Sequence, residues 1–399
     1  MVMSTLLLDS IKLKIHTLCK KVVFSLVSIL DMSISDVLKD APWQSLELHL
    51  NSLRERIDHS VSASHDLRDE YRKELLSDNP GLLHKIMKPS ESVLRESQDT
   101  FRSGIIAASD GTISPVPLLA GSKIQIGIVI VTNHGNVVDL VTRVFEAELS
   151  SGAKTAREYF SNLRKSRTIS NLVSRAIMMF GERKLLLEQN VNWRFIHGEL
   201  IPHELKTGAG KPSKNLPPTF ELIHKYIASK NFIAVTEASE DIDILNAAIL
   251  LQPGEYIVIR SLEDSLNTFL VGDSEIGQAA ANFAEPDKKR FREFIKSAGP
   301  QVAVVLVKAG PKPFILECHE ERIEEAVAMF LTDALWVKGL PTDGTGFTTR
   351  GFPFHIDLAD HVARTLFKSS DFRSLVESRL YELGIEAGLF DIDPRRTRT

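Results

Sequence analysis

Cysteine is nearly missing from this chain. Of 399 residues only Cys19 and Cys318 are cysteines, too few for a disulfide framework or a cysteine-ligated metal. That usage fits a reducing, cytoplasmic setting. Long apolar runs are missing as well. The longest mostly apolar stretch near the N-terminus, Val22 to Leu30, falls far short of the ~20 residues that a membrane-spanning helix requires. Lys12, Lys14, Lys20 and Lys21 interrupt the segment before it, and no small-residue cleavage site follows. An amphipathic helix is therefore expected there, with neither a signal peptide nor contact with a membrane. Charge of one sign is lacking too. Lysine and arginine number 48 against 52 acidic residues, a formal net charge of −4, so any nucleic-acid-binding surface must be local. What remains, with 43% hydrophobic and 25% charged residues, is the balance of a soluble globular protein of one large domain or two ordinary ones.

Two regions emerge along the chain. Residues 1–100 read as helical, with Leu46, Leu50, Leu53 and Ile57 at helical spacing and a polar face from Asp66 to Glu74. Beyond Ser103, α and β alternate. Strands are predicted at Gly104–Ser109, along the alternating Ile124, Ile126, Ile128 and Ile130, and at Trp193–Ile201, Phe232–Ala238, Tyr256–Leu262, Val302–Lys308 and Pro313–Cys318. Helices are predicted at Thr155–Gln189, Arg322–Val337 and Leu358–Leu383, and a Gly/Lys/Pro loop at Leu205–Pro218. The organisation expected is a helical region at 1–100, an α/β domain at 101–390 and a mobile tail at 391–399 that carries Arg395, Arg396 and Arg398.

Several segments carry chemistry, each with a plainer reading beside it. Lys206-Thr207-Gly208-Ala209-Gly210-Lys211-Pro212 is not a phosphate loop: Leu205 stands where the first glycine belongs, and Pro212 where the magnesium-binding hydroxyl does. It is a basic loop. Asp110, in Ser109-Asp110-Gly111-Thr112, is either part of an Asp-Gly hairpin turn or a cation-binding carboxylate at a strand end. Glu182 has Met178, Met179, Leu185 and Leu186 as helical neighbours. A carboxylate on such an apolar face is costly unless it is paired, for instance with Arg175, or bound to a cation. In Trp193-Arg194-Phe195-Ile196-His197-Gly198-Glu199-Leu200-Ile201, strand alternation puts His197 and Glu199 on one side, as a polar face or as ligands. In Arg350-Gly351-Phe352-Pro353-Phe354-His355-Ile356-Asp357-Leu358-Ala359-Asp360-His361, Asp357 and Asp360 read as a carboxylate capping box or as ligands, with His361 beside them.

Taken in order, these segments resemble the NurA family of DNA nucleases. Members carry a strand ending in Asp-Gly-Ser, a long helix with a glutamate, a second strand with Asp-Gly-Ser-Leu, and a late Gly-Tyr-Pro-x-Pro-Leu-like turn into a helix bearing Asp or His. Asp110-Gly111-Thr112, Glu182-Arg183, and Gly351-Phe352-Pro353 leading to Asp360 match. Leu251-Gln252-Pro253-Gly254-Glu255 resembles a further turn of the family. The similarity runs from about residue 100 to 385, and it is the ordered set rather than any one motif that carries it.

The resemblance implies a ribonuclease-H-like α/β fold, a mixed sheet flanked by helices, and hydrolysis of DNA phosphodiesters. It implies Asp110, Glu182 and Asp360 as ligands of Mn²⁺ or Mg²⁺, a homodimer, a HerA-type hexameric ATPase as partner, and work in DNA end processing or antiviral defence. One position departs. His197 stands where the family has its second aspartate, which replaces a hard oxygen by a softer nitrogen and shifts preference from Mg²⁺ toward Mn²⁺. Glu199 is the candidate to supply the missing carboxylate; otherwise the site is dead and the chain a DNA-binding or ATPase-docking subunit. DNA contacts are expected from Arg157, Arg164, Lys165, Arg167 and the segment Lys206–Lys214.

Overall fold

The computed structural model of the chain describes residues 45–383 except 79–80, 82–83, 104–105, 119–120, 135–136, 151–154, 238–243, 245–246, 249, 272–279, 281–282, 311, 337–350 and 368. The amphipathic helix expected around Val22–Leu30 and the tail 391–399 lie outside the described residues. The chain divides into two compact units, Met1–Ile86 with Ser239–Leu251, and Met87–Ala238 with Gln252–Thr399. In the first, helix α1 (Leu46–Asp78) packs Tyr71 and Leu75 against Leu250, whose carbonyl accepts from Arg72 Nε at 2.7 Å. No helix among the described residues is long and apolar enough to cross a membrane.

The second unit opens with α2 (Glu91–Ser103), whose Phe101 is fully buried in the core. An antiparallel meander follows: β1 (Ile106–Leu118), β2 (Gly121–His134) and β3 (Val137–Ser150). Then come α3 (Ala156–Leu187), β4 (Trp193–His197), α4 (Pro212–Ser229), β5 (Phe232–Thr236) and β6 (Tyr256–Ser261). Helices α5 (Leu262–Val271) and α6 (Glu285–Ala298) lead to β7 (Val302–Lys308) and β8 (Pro313–His319). Helices α7 (Ile323–Trp336), α8 (Phe354–Leu366) and α9 (Ser369–Glu382) complete the unit. Among the described residues, these eight strands form one mixed sheet, in the order β3-β2-β1-β4-β5-β8-β7-β6. β1 runs antiparallel to β2 and parallel to β4, and β4 runs parallel to β5. This is the ribonuclease-H-like arrangement expected, extended at one edge by β6, β7 and β8.

Strand β2 shows how the sequence dictates the layers. Ile124, Ile126 and Ile128 point to one face and pack against Ile177, Met178 and Leu185 of α3. Val129 and Val131 point to the other and pack against Ala359 and Ala363 of α8. A strand apolar on both faces must be covered on both, and α3 and α8 do so. β7, Val302-Ala303-Val304-Val305-Leu306-Val307-Lys308, is buried along its whole length for the same reason.

Local signals were overridden in several places. Asp110-Gly111 does not turn: β1 runs on to Leu118, with Asp110 opposite Val129 and Gly111 opposite Ile128. Thirteen paired residues outweigh one turn-prone dipeptide. The helix expected from Leu358 starts at Phe354, behind Pro353 at its N-cap with no side-chain cap. Asp360 therefore sits in its second turn and caps nothing. The loop expected at Leu205–Pro218 is instead a short helical turn at Gly208–Gly210 followed by α4, which begins on Pro212, the position where a helix tolerates proline best. β3 was not anticipated. Residues 142–146 are exposed there, so this edge strand shows no clean alternation.

Candidate active site

The parallel pairing of β1 with β4 ends at Ser109 opposite Ile196. Asp110 is the next residue, so its carboxylate emerges where the two strands part. Its Oδ1 accepts from the Gly111 amide at 2.8 Å. On the α8 side, Asp360 hydrogen-bonds Asp110, and its Oδ1 lies 2.7 Å from Arg364 Nε. His197 ends β4, with Nδ1 3.3 Å from Asp110 Oδ2 and Nε2 3.5 Å from Glu237 Oε1. Its ring stands edge-on to Phe352 at 5.9 Å.

Glu182 approaches from α3. It is 3% exposed, and its Oε1 is buried with no hydrogen-bond partner. That oxygen rests on Gly111, where a Cβ would lie only 2.5 Å from it. Gly111 is thus needed for close approach, and not for a turn. The alternative partner, Arg175, binds Glu204 at 2.9 Å instead. Glu182 Oε2 lies 3.6 Å from Arg183 Nη1.

Four of the expected residues, Asp110, Glu182, His197 and Asp360, therefore come together. Glu199 does not join them, which corrects the strand reading. β4 stops at His197, and Gly198 takes φ +80°, breaking the alternation that would have placed Glu199 beside His197. The Glu199 carboxylate accepts from Lys206 Nζ at 2.7 Å. His361, considered as a ligand, is exposed on α8.

The carboxylates crowd one another. Burial above all, then the Asp110 charge, raises the Glu182 carboxyl to about 8, against the pull of Arg183 and His197. Asp360 is raised by burial and then by Asp110, with Arg364 opposing. Burial lowers the His197 imidazole, but hydrogen bonds to Asp110 and Glu237 and the charges of Asp110 and Glu182 outweigh it, and it rises to about 10. As folded here, the site holds protons where negative charge would otherwise accumulate.

The donor chemistry fits a divalent cation. The Asp110 carboxylate of β1 is neighboured by Glu182 of α3 and by Asp360 of α8, and the Glu182 Oε1 is buried and unpartnered, a costly state that a cation would relieve. Among the described residues, no three His, Cys, Asp or Glu side chains already stand in an arrangement that could hold a metal ion. His197 and Asp360 hydrogen-bond the Asp110 carboxylate in the place a cation would take. Binding would exchange protons for the ion.

Sequence reasoning missed three participants. Arg183, 1% exposed, donates from Nε to the Leu200 carbonyl and from Nη1 to that of Met179, each at 2.9 Å, and from Nη2 to the Glu199 carbonyl. It pins the turn that follows His197. Glu317 supports the same turn, accepting from the Leu200 amide at 2.6 Å; burial and the Glu199 charge raise it to about 7. Glu237, just past β5, meets the outer nitrogen of His197. Its place near the end of the strand predicted at Phe232–Ala238 was the available signal. As for the basic residues, the side chains of Arg157, Arg164, Lys165 and Arg167 lie outside the described residues. Lys211 and Lys214 are exposed, while Lys206 is engaged by Glu199.

No family model and no curated protein matches the chain. Among solved structures, it is similar to the NurA nuclease from Sulfolobus solfataricus, at 11% identity and a TM-score of 0.43 over 78% of this chain and 97% of that one. It is also similar to NurA bound to dAMP and manganese, at 10% identity and a TM-score of 0.41 over 79% of this chain and 94% of that one. An endonuclease V from Bacillus subtilis is more distant, at 11% identity and a TM-score of 0.29 over 68% of this chain and 84% of that one.

Proposed function

We propose that this chain is a metal-dependent deoxyribonuclease whose site comprises Asp110, Glu182, Asp360 and His197. The observation that carries the reading is that the Asp110 carboxylate is approached by Glu182 from α3 and by Asp360 from α8, with the Glu182 Oε1 buried and unpartnered. Asp110, Glu182 and Asp360 would hold the cation. When bound, such an ion polarises the scissile phosphate and lowers the pKa of its water toward neutrality. The chain's own residues do the rest. Gly111 leaves room for Glu182, Arg183 fixes the turn behind His197, and that turn holds the imidazole beside Asp110. Imidazole beside carboxylates favours Mn²⁺ over Mg²⁺. The resemblance noted in the sequence makes DNA and Mn²⁺ the first substrate and ion to try.

The resemblance noted in the sequence adds a homodimer and a HerA-type hexameric ATPase as partners, with DNA end processing or defence as the setting. The experiment is cleavage of linear DNA by the purified chain in Mn²⁺, with and without that ATPase, beside Asp110→Ala. Cleavage by the original chain and none by the variant is expected. A second reading, a catalytically inactive DNA-binding or ATPase-docking subunit, is favoured by one observation: the His197 imidazole occupies Asp110 Oδ2. It requires DNA binding without cleavage in either Mn²⁺ or Mg²⁺.

A further inference from the structure

Asp333 of α7 and His355, the second residue of α8, are both buried, and they form one pair. His355 Nδ1 donates to Asp333 Oδ1 at 2.7 Å, and the His355 backbone amide donates to Asp333 Oδ2 at 3.4 Å. A helix is ordinarily capped by the residue just before it, whose side-chain oxygen accepts from the second or third amide. Pro353 holds that place in α8 and offers no side-chain cap. Asp333 supplies the oxygen from another helix instead, and its charge meets the positive end of the α8 dipole. We infer that Asp333 is a positioning residue for the cation site: by capping α8 from α7 it sets where Asp360 meets Asp110. This rests on the deoxyribonuclease reading above.

Three observations support it. First, the capped end of α8 is the end that serves the site. Asp360 follows His355 by about 7.5 Å along the axis, at ~1.5 Å per residue, and hydrogen-bonds Asp110. Phe352, just before the helix, stands edge-on to His197 at 5.9 Å. Misplacing a catalytic group by about 1 Å costs on the order of 10²-fold in rate, so the registry of this helix end matters. Second, stability does not call for a polar pair here. The His355 ring lies 5.3 Å from that of Phe101, in the apolar core. Well-packed apolar residues in place of a buried ion pair are often neutral or stabilising. What they lack is a directed bond that selects one arrangement. Third, His355 Nε2 is buried without a hydrogen-bond partner. The fold tolerates that loss while keeping Nδ1 and the amide on Asp333.

The test is the Mn²⁺ affinity of the full-length chain, read from the electron paramagnetic resonance signal of the free ion. It is measured at a temperature where circular dichroism shows each variant folded, with Tm recorded beside it. Asp333→Ala should lower Tm and weaken Mn²⁺ binding on the order of 10-fold or more. Asp333→Asn, with an oxygen acceptor in the same place, should keep most of the affinity. Asp333→Leu combined with His355→Phe should recover the Tm that Asp333→Ala loses and still bind Mn²⁺ weakly, because packing replaces the energy of the pair and not its direction. With Asp360→Asn already present, Asp333→Ala should weaken binding no further. Recovery of both Tm and affinity in the apolar pair would overturn the inference. So would an unchanged affinity in Asp333→Ala, or an equal loss on top of Asp360→Asn; each of these leaves the proposed function standing. No Mn²⁺ uptake by the original chain would overturn this inference and the proposed function together.

Discussion

Replacing Gly111 by alanine tests the close approach of Glu182 to β1. Glycine inside a strand is disfavoured by roughly 0.5–1 kcal/mol relative to alanine, so an alanine with room to spare would stabilise the protein. There is no room. The new methyl would lie 2.5 Å from Glu182 Oε1 and 2.7 Å from Met178 Cγ, about an ångström inside ordinary contact. Overpacking of this kind costs about 1–3 kcal/mol. The two effects oppose each other, and the difference is a net loss of up to about 2.5 kcal/mol. For a unit of this size, at roughly 1.5 °C per kcal/mol, that lowers Tm by up to about 4 °C. Activity should suffer far more, because displacing a catalytic group by about 1 Å costs on the order of 10²-fold in rate. Thermal unfolding followed by circular dichroism, beside the rate of linear-DNA cleavage in Mn²⁺, measures both. A higher Tm with undiminished cleavage would refute the packing of Glu182 on Gly111.

Two further substitutions separate the roles within the site. Glu182→Gln should abolish cleavage and flatten the pH dependence of stability in EDTA. The Glu182 carboxyl is raised from 4.5 to about 8 in the folded chain, so its contribution to stability is full below about pH 4.5 and is lost as pH rises through 8. The original chain should therefore lose more Tm than the variant between pH 5 and 9; parallel curves would contradict a buried, protonated Glu182. His197→Asp puts a hard oxygen in place of the imidazole and should add Mg²⁺-dependent cleavage to a chain that otherwise prefers Mn²⁺. Equal rates with both ions before the substitution would contradict the part given to His197.

What could be read from the sequence was whatever burial enforces. The alternating isoleucines of β2, the continuous apolar run of β7 and the carboxylate of Glu182 among methionines and leucines each follow from the cost of exposing apolar or burying charged groups. Those signals fixed the fold class and one face of the site. The rest depends on backbone conformation and distant partners. Gly198 takes a left-handed φ that removes Glu199 from the strand, and nothing in the local pattern marks it as different from any other glycine. Asp110-Gly111 has the composition of a turn, yet it is extended because β2 offers it a full-length partner. Glu237 meets His197 only because β5 docks beside β4, a pairing between segments about forty residues apart. Arg183 is a surface residue by type. Its burial makes sense only once the carbonyls of Met179, Glu199 and Leu200 are seen to surround it.

The central claim is that Asp110, Glu182 and Asp360 together hold a divalent cation. Anomalous X-ray diffraction from crystals soaked in Mn²⁺ tests it most directly, because the ion's position is observed rather than deduced from activity. The expected result is a manganese peak in coordinating contact with carboxylate oxygens of both Asp110 and Glu182, with the buried Glu182 Oε1 no longer unpartnered. A fully soaked crystal with no peak there, and with Asp360 and His197 still hydrogen-bonded to Asp110, would contradict it.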